Sequence, residues 1–445
     1  MHETINNYQY GTKDNDTLIG TAGNDYIDGW GEYFFLSNCG GISSGSDILE
    51  GKEGDDVLVG GVSRHWCGGF NRDTFKFSDN SDNDTIVDFT SNFEIPGNVN
   101  FYDYMDVLEI EENINGISFK TASELLNISS NNTDGFAEIQ LGGSNTITLH
   151  GKDISTLFPM HFRIIPKIDS YIIGTDEDNI LNGDELNNYL KGSNRYLNRF
   201  HDGNDILDGG AGDDVLDGGS NRIGGAFTSD IYKFDQNYGF DRIFGFFAAD
   251  IYQNYSTAFY PSYEAGIRSD KIEIPNDVVS SANSIINNST NNLDGYAHLT
   301  FPGTSIIIHM FSKEQLKPDY FYIVPRTVNN IIGTDGIDSL TGTSSNDRIE
   351  GDRKSFAHAI YEDGSDLIEG KEGDDVLIGG PAKRTMIGGY TKDRYRFNAN
   401  FGNDYLISFF AEDIAYHAPG TGGRRCPAHL GLQARYRPCG RDALA

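Results

Sequence analysis

Three stretches of this chain are near-copies of one another. Residues 45–61 read GSDILEGKEGDDVLVGG, residues 203–219 read GNDILDGGAGDDVLDGG and residues 364–380 read GSDLIEGKEGDDVLIGG, and they start 158 and 161 residues apart. Self-similarity at a fixed spacing means that one supersecondary unit recurs, and any fold must be an array of it. The openings match as well, at Gly11-Thr12, Gly174-Thr175 and Gly333-Thr334. Downstream, TITLHGKDISTLFPMHFRII at 146–165 recurs as SIIIHMFSKEQLKPDYFYIV at 305–324. The chain therefore divides into copy one at 1–169, copy two at 170–327 and a truncated copy three at 328–416. Residues 417–445 match nothing else and carry five of the chain's arginines with a single acid, Asp442, so this tail is expected to lie outside the native fold.

A period of nine runs inside each copy. Gly11, Gly20 and Gly29 are nine apart, as are Asp16 and Asp25, Asp47 and Asp56, Asp205 and Asp214, Asp338 and Asp347, and Asp366 and Asp375. Two residues after each Asp stands an apolar residue, such as Leu18, Ile27, Leu49 and Leu58 in copy one. A glycine turn, an Asp and a strand of about three residues, stable only when stacked on its neighbours, make a nine-residue half-turn of a parallel β-roll. The fold expected is all-β: three parallel β-rolls, the first two followed by a β-rich capping module. No long apolar pattern at helical spacing appears in these stretches.

In such a roll alternate turns share an edge. Asp16, Asp47 and Asp73 line one edge of copy one, and Asp25 and Asp56 the other; Asp230 and Asp393 lead the strands that match the one after Asp73. Carboxylates stacked a few ångströms apart repel unless a cation lies between them. Carboxylates with the carbonyls of an open glycine turn are an all-oxygen set suited to calcium, and no His or Cys cluster at ligand spacing points to zinc. The balance of 66 acidic against 34 basic residues, a net charge of −32, argues against nucleic acid and anionic membrane as partners. No apolar run approaches the ~20 residues of a spanning helix. The opening residues, MHETINN, have neither a basic nor an apolar leader region, so a cleaved signal peptide is not expected.

The turns resemble the RTX (repeats-in-toxin, haemolysin-type) repeat, G-G-x-G-x-D-x-U-x with U a large apolar residue. Residues 51–59 match at Gly51, Gly54 and Asp56, residues 209–217 match throughout with Gly209, Gly212 and Asp214, and Gly370, Gly373 and Asp375 repeat the match. The resemblance implies calcium held between alternate turns by these residues, and export by a type I secretion system to the extracellular space. Asn179 and Asn188 stand at the first two Asp positions of copy two, which lowers the charge of its opening turns. Each roll is also interrupted after its second turn, by residues 32–44, 193–202 and 352–363. These aromatic-bearing insertions read as flaps over the roll edge in preference to ligand loops.

The second half of each complete copy reads as further strands, led by Asp73, Asp84 and Asp106 in copy one, then a hairpin, a short helix and a last strand that closes the roll end. Enzyme signatures are weak. Gly41-Ile42-Ser43-Ser44-Gly45 fits G-x-S-x-G, but it precedes a calcium-type turn and not a helix. His65, His150 and His309 form no constellation, and a functional Cys39–Cys67 pair is not expected. The function expected is a secreted calcium-binding repeat protein that folds on calcium, with a structural, adhesive or toxin-associated role and an unidentified cell-surface or extracellular ligand. The rival is the repeat region of an extracellular enzyme (alginate epimerase, lipase or protease type) whose catalytic part lies elsewhere.

Overall fold

A computed structural model of the chain describes residues 5–12, 15–30, 45–61, 72–91, 105–175, 177–193, 203–219, 229–248, 269–334, 336–351, 366–379, 393–397 and 401–407, together with the two-residue strand Ala434–Arg435. The three insertions apart from Ser193, together with Cys39, Cys67, His65, the serine of the G-x-S-x-G pattern and all but that strand of the tail, lie outside the described residues.

Alternation of side chains along very short strands fixes the architecture. In each half-turn one central apolar side chain points inward, so stacking in parallel register builds an apolar column. In copy one the strands Asn7–Tyr10, Asp25–Asp28, Val57–Val59 and Asn83–Ile86 stack in parallel, followed by Asn145–Leu149. Their column is Ile27, Leu58, Ile86 and Leu149, all fully buried. The alternate half-turns form a second parallel sheet, Thr17–Ile19, Ile48–Glu50, Thr74–Phe77, Val107–Glu111 and Phe162–Ile165. Its column runs Leu18, Leu49, Phe75, Leu108 and Phe162, and the two columns meet in one core. Phenylalanines appear as the roll approaches its capping end. Copy two repeats both sheets, and copy three repeats the roll.

The capping module extends the roll. The hairpin Ala137–Gly142 and Asn145–Leu149 adds antiparallel pairing to the first sheet, and Phe162–Ile165 adds the last strand of the second. The helix lies elsewhere than expected. Only 3₁₀ turns, Ile154–Thr156 and Pro159–His161, separate hairpin and last strand, and the α-helix Ala122–Ile128 comes before the hairpin. Thr121 and Glu124 form a capping box at its start, which lets seven residues hold a helix too short to stand alone. Copy two repeats it as Ala282–Asn288. In the tail, Ala434–Arg435 pairs antiparallel with Tyr405–Leu406, where the complete copies place a parallel hairpin strand. No helix among the described residues is long and apolar enough to cross a membrane.

Successive copies pack face to face. The outer face of copy one's second sheet rests on the outer face of copy two's first sheet, with Ile165 among Tyr189, Val215 and Phe244. Arg163 donates to the Tyr189 hydroxyl at 3.1 Å and pairs with Asp217 at 3.2 Å; Arg242 pairs with Glu112. Copy two meets copy three the same way, with Val324 against Val376, Ile378 and Tyr405, and with Arg348 bound by Glu273 and Glu350. His309, tilted against Phe244, contacts the Phe162 carbonyl at 2.9 Å, and His150 packs on Phe136 at 4.5 Å between ring centres.

Candidate metal centre

Each roll carries two ladders of aspartates, one along each edge. The rung is the same throughout: one carboxylate oxygen, Oδ1, accepts the backbone N–H of the Asp one full turn earlier. On one edge of copy one, Asp47 accepts from Asp16 at 2.8 Å, Asp73 from Asp47 at 2.9 Å, and Asp106 from Asp73 at 3.0 Å. On the other, Asp56 accepts from Asp25 at 2.7 Å and Asp84 from Asp56 at 2.9 Å. In copy two the rungs are Asn179–Asp205–Asp230–Asp270 and Asn188–Asp214–Asp241. In copy three they are Asp338–Asp366–Asp393 and Asp347–Asp375–Asp404.

The second oxygen is left over. The Oδ2 atoms of Asp47, Asp56, Asp73, Asp84, Asp214, Asp241, Asp375 and Asp404 are buried without a hydrogen-bond partner. The glycines explain how they fit. At Gly51, Gly209 and Gly370 a β-carbon would overlap Oδ2 of Asp56, Asp214 and Asp375, so only glycine leaves that oxygen its place. Gly54, Gly212 and Gly373 turn the chain with φ of +114°, +123° and +112°, a region that a side chain would strain.

Burial of an oxygen that nothing satisfies disfavours its charge. It raises Asp47 to about 8, Asp56 to about 7 and Asp84 to about 9, with neighbouring carboxylates adding to the rise: Asp16 at Asp47, Asp25 at Asp56, and Asp56 at Asp84. Asp214, Asp241, Asp375 and Asp404 rise to about 7, 8, 6 and 7 for the same first reason. Asp73 is also pushed up, by burial and then by Asp106 beside it. Among the described residues no three His, Cys, Asp or Glu side chains converge as a ligand set. The donors on offer are paired carboxylates and turn carbonyls. Buried, oxygen-only and anionic, they fit a hard cation of high coordination number, which is calcium.

The first rungs differ. Asp16 takes the Thr12 hydroxyl at 2.9 Å and Asp338 takes Thr334 at 2.9 Å; Asp25 and Asp347 take Thr21 and Thr343 at 3.0 Å. These four open their ladders already hydrogen-bonded. In copy two the side-chain amides of Asn179 and Asn188 donate instead to the turn carbonyls of Glu177 and Leu186, drawing in the oxygens a cation would otherwise gather. Changing both to Asp removes those donors and adds two carboxylates, so calcium bound per chain should rise and copy two should need calcium more. Equilibrium dialysis checks this; unchanged stoichiometry would mean that the opening turns take no ion.

Five ladder members escape a reading based on glycine turns: Asp84, Asp106, Asp241, Asp270 and Asp404. Their turns have lost the glycine pattern, but the local signal persists as Asp, any residue, apolar: Asp84-Thr85-Ile86, Asp106-Val107-Leu108, Asp241-Arg242-Ile243, Asp270-Lys271-Ile272 and Asp404-Tyr405-Leu406. Asp106 and Asp270 close their edge, since Oδ2 there accepts a backbone N–H, from Thr90 and Phe247, each at 2.7 Å.

Comparison with known proteins agrees with this geometry. The family profile "RTX calcium-binding nonapeptide repeat (4 copies)" matches residues 10–31, 42–63, 201–222, 328–353 and 361–382. The opening turns of copy two, where Asn replaces Asp, fall outside the matched segments. No curated protein sequence matches the chain. Among solved structures the chain is similar to the extracellular lipase LipA from Serratia marcescens, with 17% identity and a TM-score of 0.22 over 72% of this chain. The match spans 40% of the length of that lipase chain, and a likeness this slight carries no argument.

Proposed function

We propose that this chain, which carries RTX calcium-binding nonapeptide repeats, is a secreted protein whose rolls fold when they bind calcium, and that its role is structural, adhesive or attached to a toxin. Calcium binding itself follows from the repeats. The observation that carries the folding switch is the row of buried Oδ2 atoms with no partner. Carboxylates sequestered in pairs oppose the closed roll, and a divalent ion between them reverses the sign of that contribution.

The residues proposed to hold the ion are Asp47, Asp56, Asp73, Asp205, Asp214, Asp230, Asp366, Asp375 and Asp393, with Asp16, Asp25, Asp338 and Asp347 at the opening rungs. Gly51, Gly54, Gly209, Gly212, Gly370 and Gly373 shape the turns whose carbonyls complete the set. Calcium, when bound, supplies charge compensation and draws those carbonyls together. The protein's own residues do the rest: Oδ1 ties each turn to the one before it, and the apolar columns exclude water once the turns close. Cells hold free calcium low and the exterior holds it high, so such a chain stays open during export and folds outside; type I secretion fits that order.

Circular dichroism of the full chain is the test. Strong β signal is expected in millimolar calcium and a largely disordered spectrum in chelator, with magnesium a poor substitute because it keeps its waters and demands a tight octahedron. Equal β content with and without calcium would defeat the proposal.

A further inference from the structure

The same face of the roll is buried in copies two and three and open in copy one. In copy two the outward side chains of the first sheet are Tyr171, Tyr189, Lys191, Val215, Asp217, Arg242 and Phe244, and all but Tyr171 are buried beneath copy one. Strand register places Tyr8, Tyr26, Asp28, Val57, Val59, Thr85 and Val87 at these positions in copy one. There the same residues are half-buried or exposed: Tyr8 is 59% exposed and Val87 41%, with Tyr10 at 56% beside them.

We propose that this face of copy one is a docking surface, and that its occupant is the outer second-sheet face of a repeat unit of the copy-one kind, presented by another polypeptide. The two junctions inside the chain show what such a face brings. On copy two, Tyr171 and Tyr189 stack at 5.6 Å between ring centres. Onto that pair copy one lays Lys76, 4.7 Å above the Tyr171 ring and 2.8 Å from its hydroxyl, and Arg163, which reaches the Tyr189 hydroxyl. Copy one carries the matching pair, Tyr8 on Tyr26 at 5.8 Å. The apolar seat for Ile165 is present as Val57 and Val87, where copy two has Val215 and Phe244. The carboxylate that pairs with Arg163 is also kept, one strand over: Val59 replaces Asp217, and Asp28, its neighbour across the strand pair, replaces Lys191. Thr85 replaces Arg242, so the Glu112 pair is lost and the contact is weaker than the one inside the chain.

Copy one meets the physical conditions for folding alone, since every described strand of it pairs within it and its core cluster lies within residues 18–164. A polypeptide of residues 1–169 has both faces free and should self-associate head to tail in calcium, with a mass that grows with concentration in sedimentation equilibrium. Val57→Asp disables the receiving face and Ile165→Asp the incoming one, so each variant alone should be monomeric, and an equimolar mixture should give a one-to-one pair and nothing larger. Folded 1–169 that stays monomeric, or a mixture that fails to pair, overturns the proposal. Should 1–169 show no β signal in calcium, the full chain preceded by a second 1–169 unit with Tyr8, Tyr10 and Tyr26 changed to Phe serves instead. Its original Tyr8 and Tyr26 should resist nitration relative to the parent chain, and equal nitration overturns the proposal.

Discussion

Acid should do part of what calcium does. With calcium stripped and the protein exchanged into metal-free buffer, the full chain is expected to gain β structure between pH 7.5 and pH 5, whereas the calcium-loaded chain should change little. The sign follows from the ladder carboxylates. An Asp in the unfolded chain titrates near 3.9. Burial holds Asp375 at about 6, Asp56, Asp214 and Asp404 at about 7, Asp47 and Asp241 at about 8 and Asp84 at about 9 in the closed roll. The folded state therefore binds more protons than the unfolded state across that interval, and stability falls as pH rises through it. The stabilisation by protons is complete below about pH 4 and lost by about pH 9, and at pH 5 these seven carboxylates are still protonated in the fold. The shrinking net charge, −32 at neutrality, works in the same direction. Circular dichroism at the two pH values, with and without calcium, reads the effect. Identical calcium-free spectra at both, in a chain that still folds on calcium, would show that the carboxylates are not what keeps the roll open.

Much of this was legible because the roll is local. The nine-residue spacing, the Asp two residues before an apolar one and the split of Asp16, Asp47 and Asp73 from Asp25 and Asp56 depend only on period and alternation, and the ladders keep them. The continuation to Asp84 and Asp106 was harder to see, because the glycine turns that announce a rung are gone there while the Asp-x-apolar core remains. Ala122–Ile128 is too short to leave a helical period, and its start is marked by Thr121 and Glu124 alone. The junctions were invisible. Arg163 and Lys76 look like ordinary strand residues until the fold brings them onto Tyr189 and Tyr171, 26 and 95 residues away.

Those junctions carry an exchange that yields the second large effect. At the first, an arginine comes from the incoming sheet, Arg163, and meets a tyrosine on the receiving roll, Tyr189. At the second the two are swapped: Tyr322 stands where Arg163 stood and Arg348 where Tyr189 stood. Arg348 is fully buried, 2.6 Å from Glu350 and bonded to Glu273; burial opposes its charge, and the two glutamates more than offset that. Removing one partner of a buried ion pair typically costs about 3–5 kcal/mol, because the charges left behind keep their desolvation penalty. Arg348→Tyr should lower the stability of the copy two–copy three junction by that order, seen as an earlier calorimetric transition of the full chain in calcium. The second half of the exchange supplies the control. Tyr322 lies directly across the strand pair from Glu273, so Tyr322→Arg places a guanidinium beside the same carboxylate from the other side. The double variant Tyr322→Arg, Arg348→Tyr restores the arginine–tyrosine pair of the first junction, with Glu273 and Glu350 as its carboxylates where the first has Asp217, and should recover most of the loss, a coupling that a double-mutant cycle isolates. A single variant that melts with the parent chain, or a double variant no better than Arg348→Tyr, would show that the two junctions are not built on interchangeable halves.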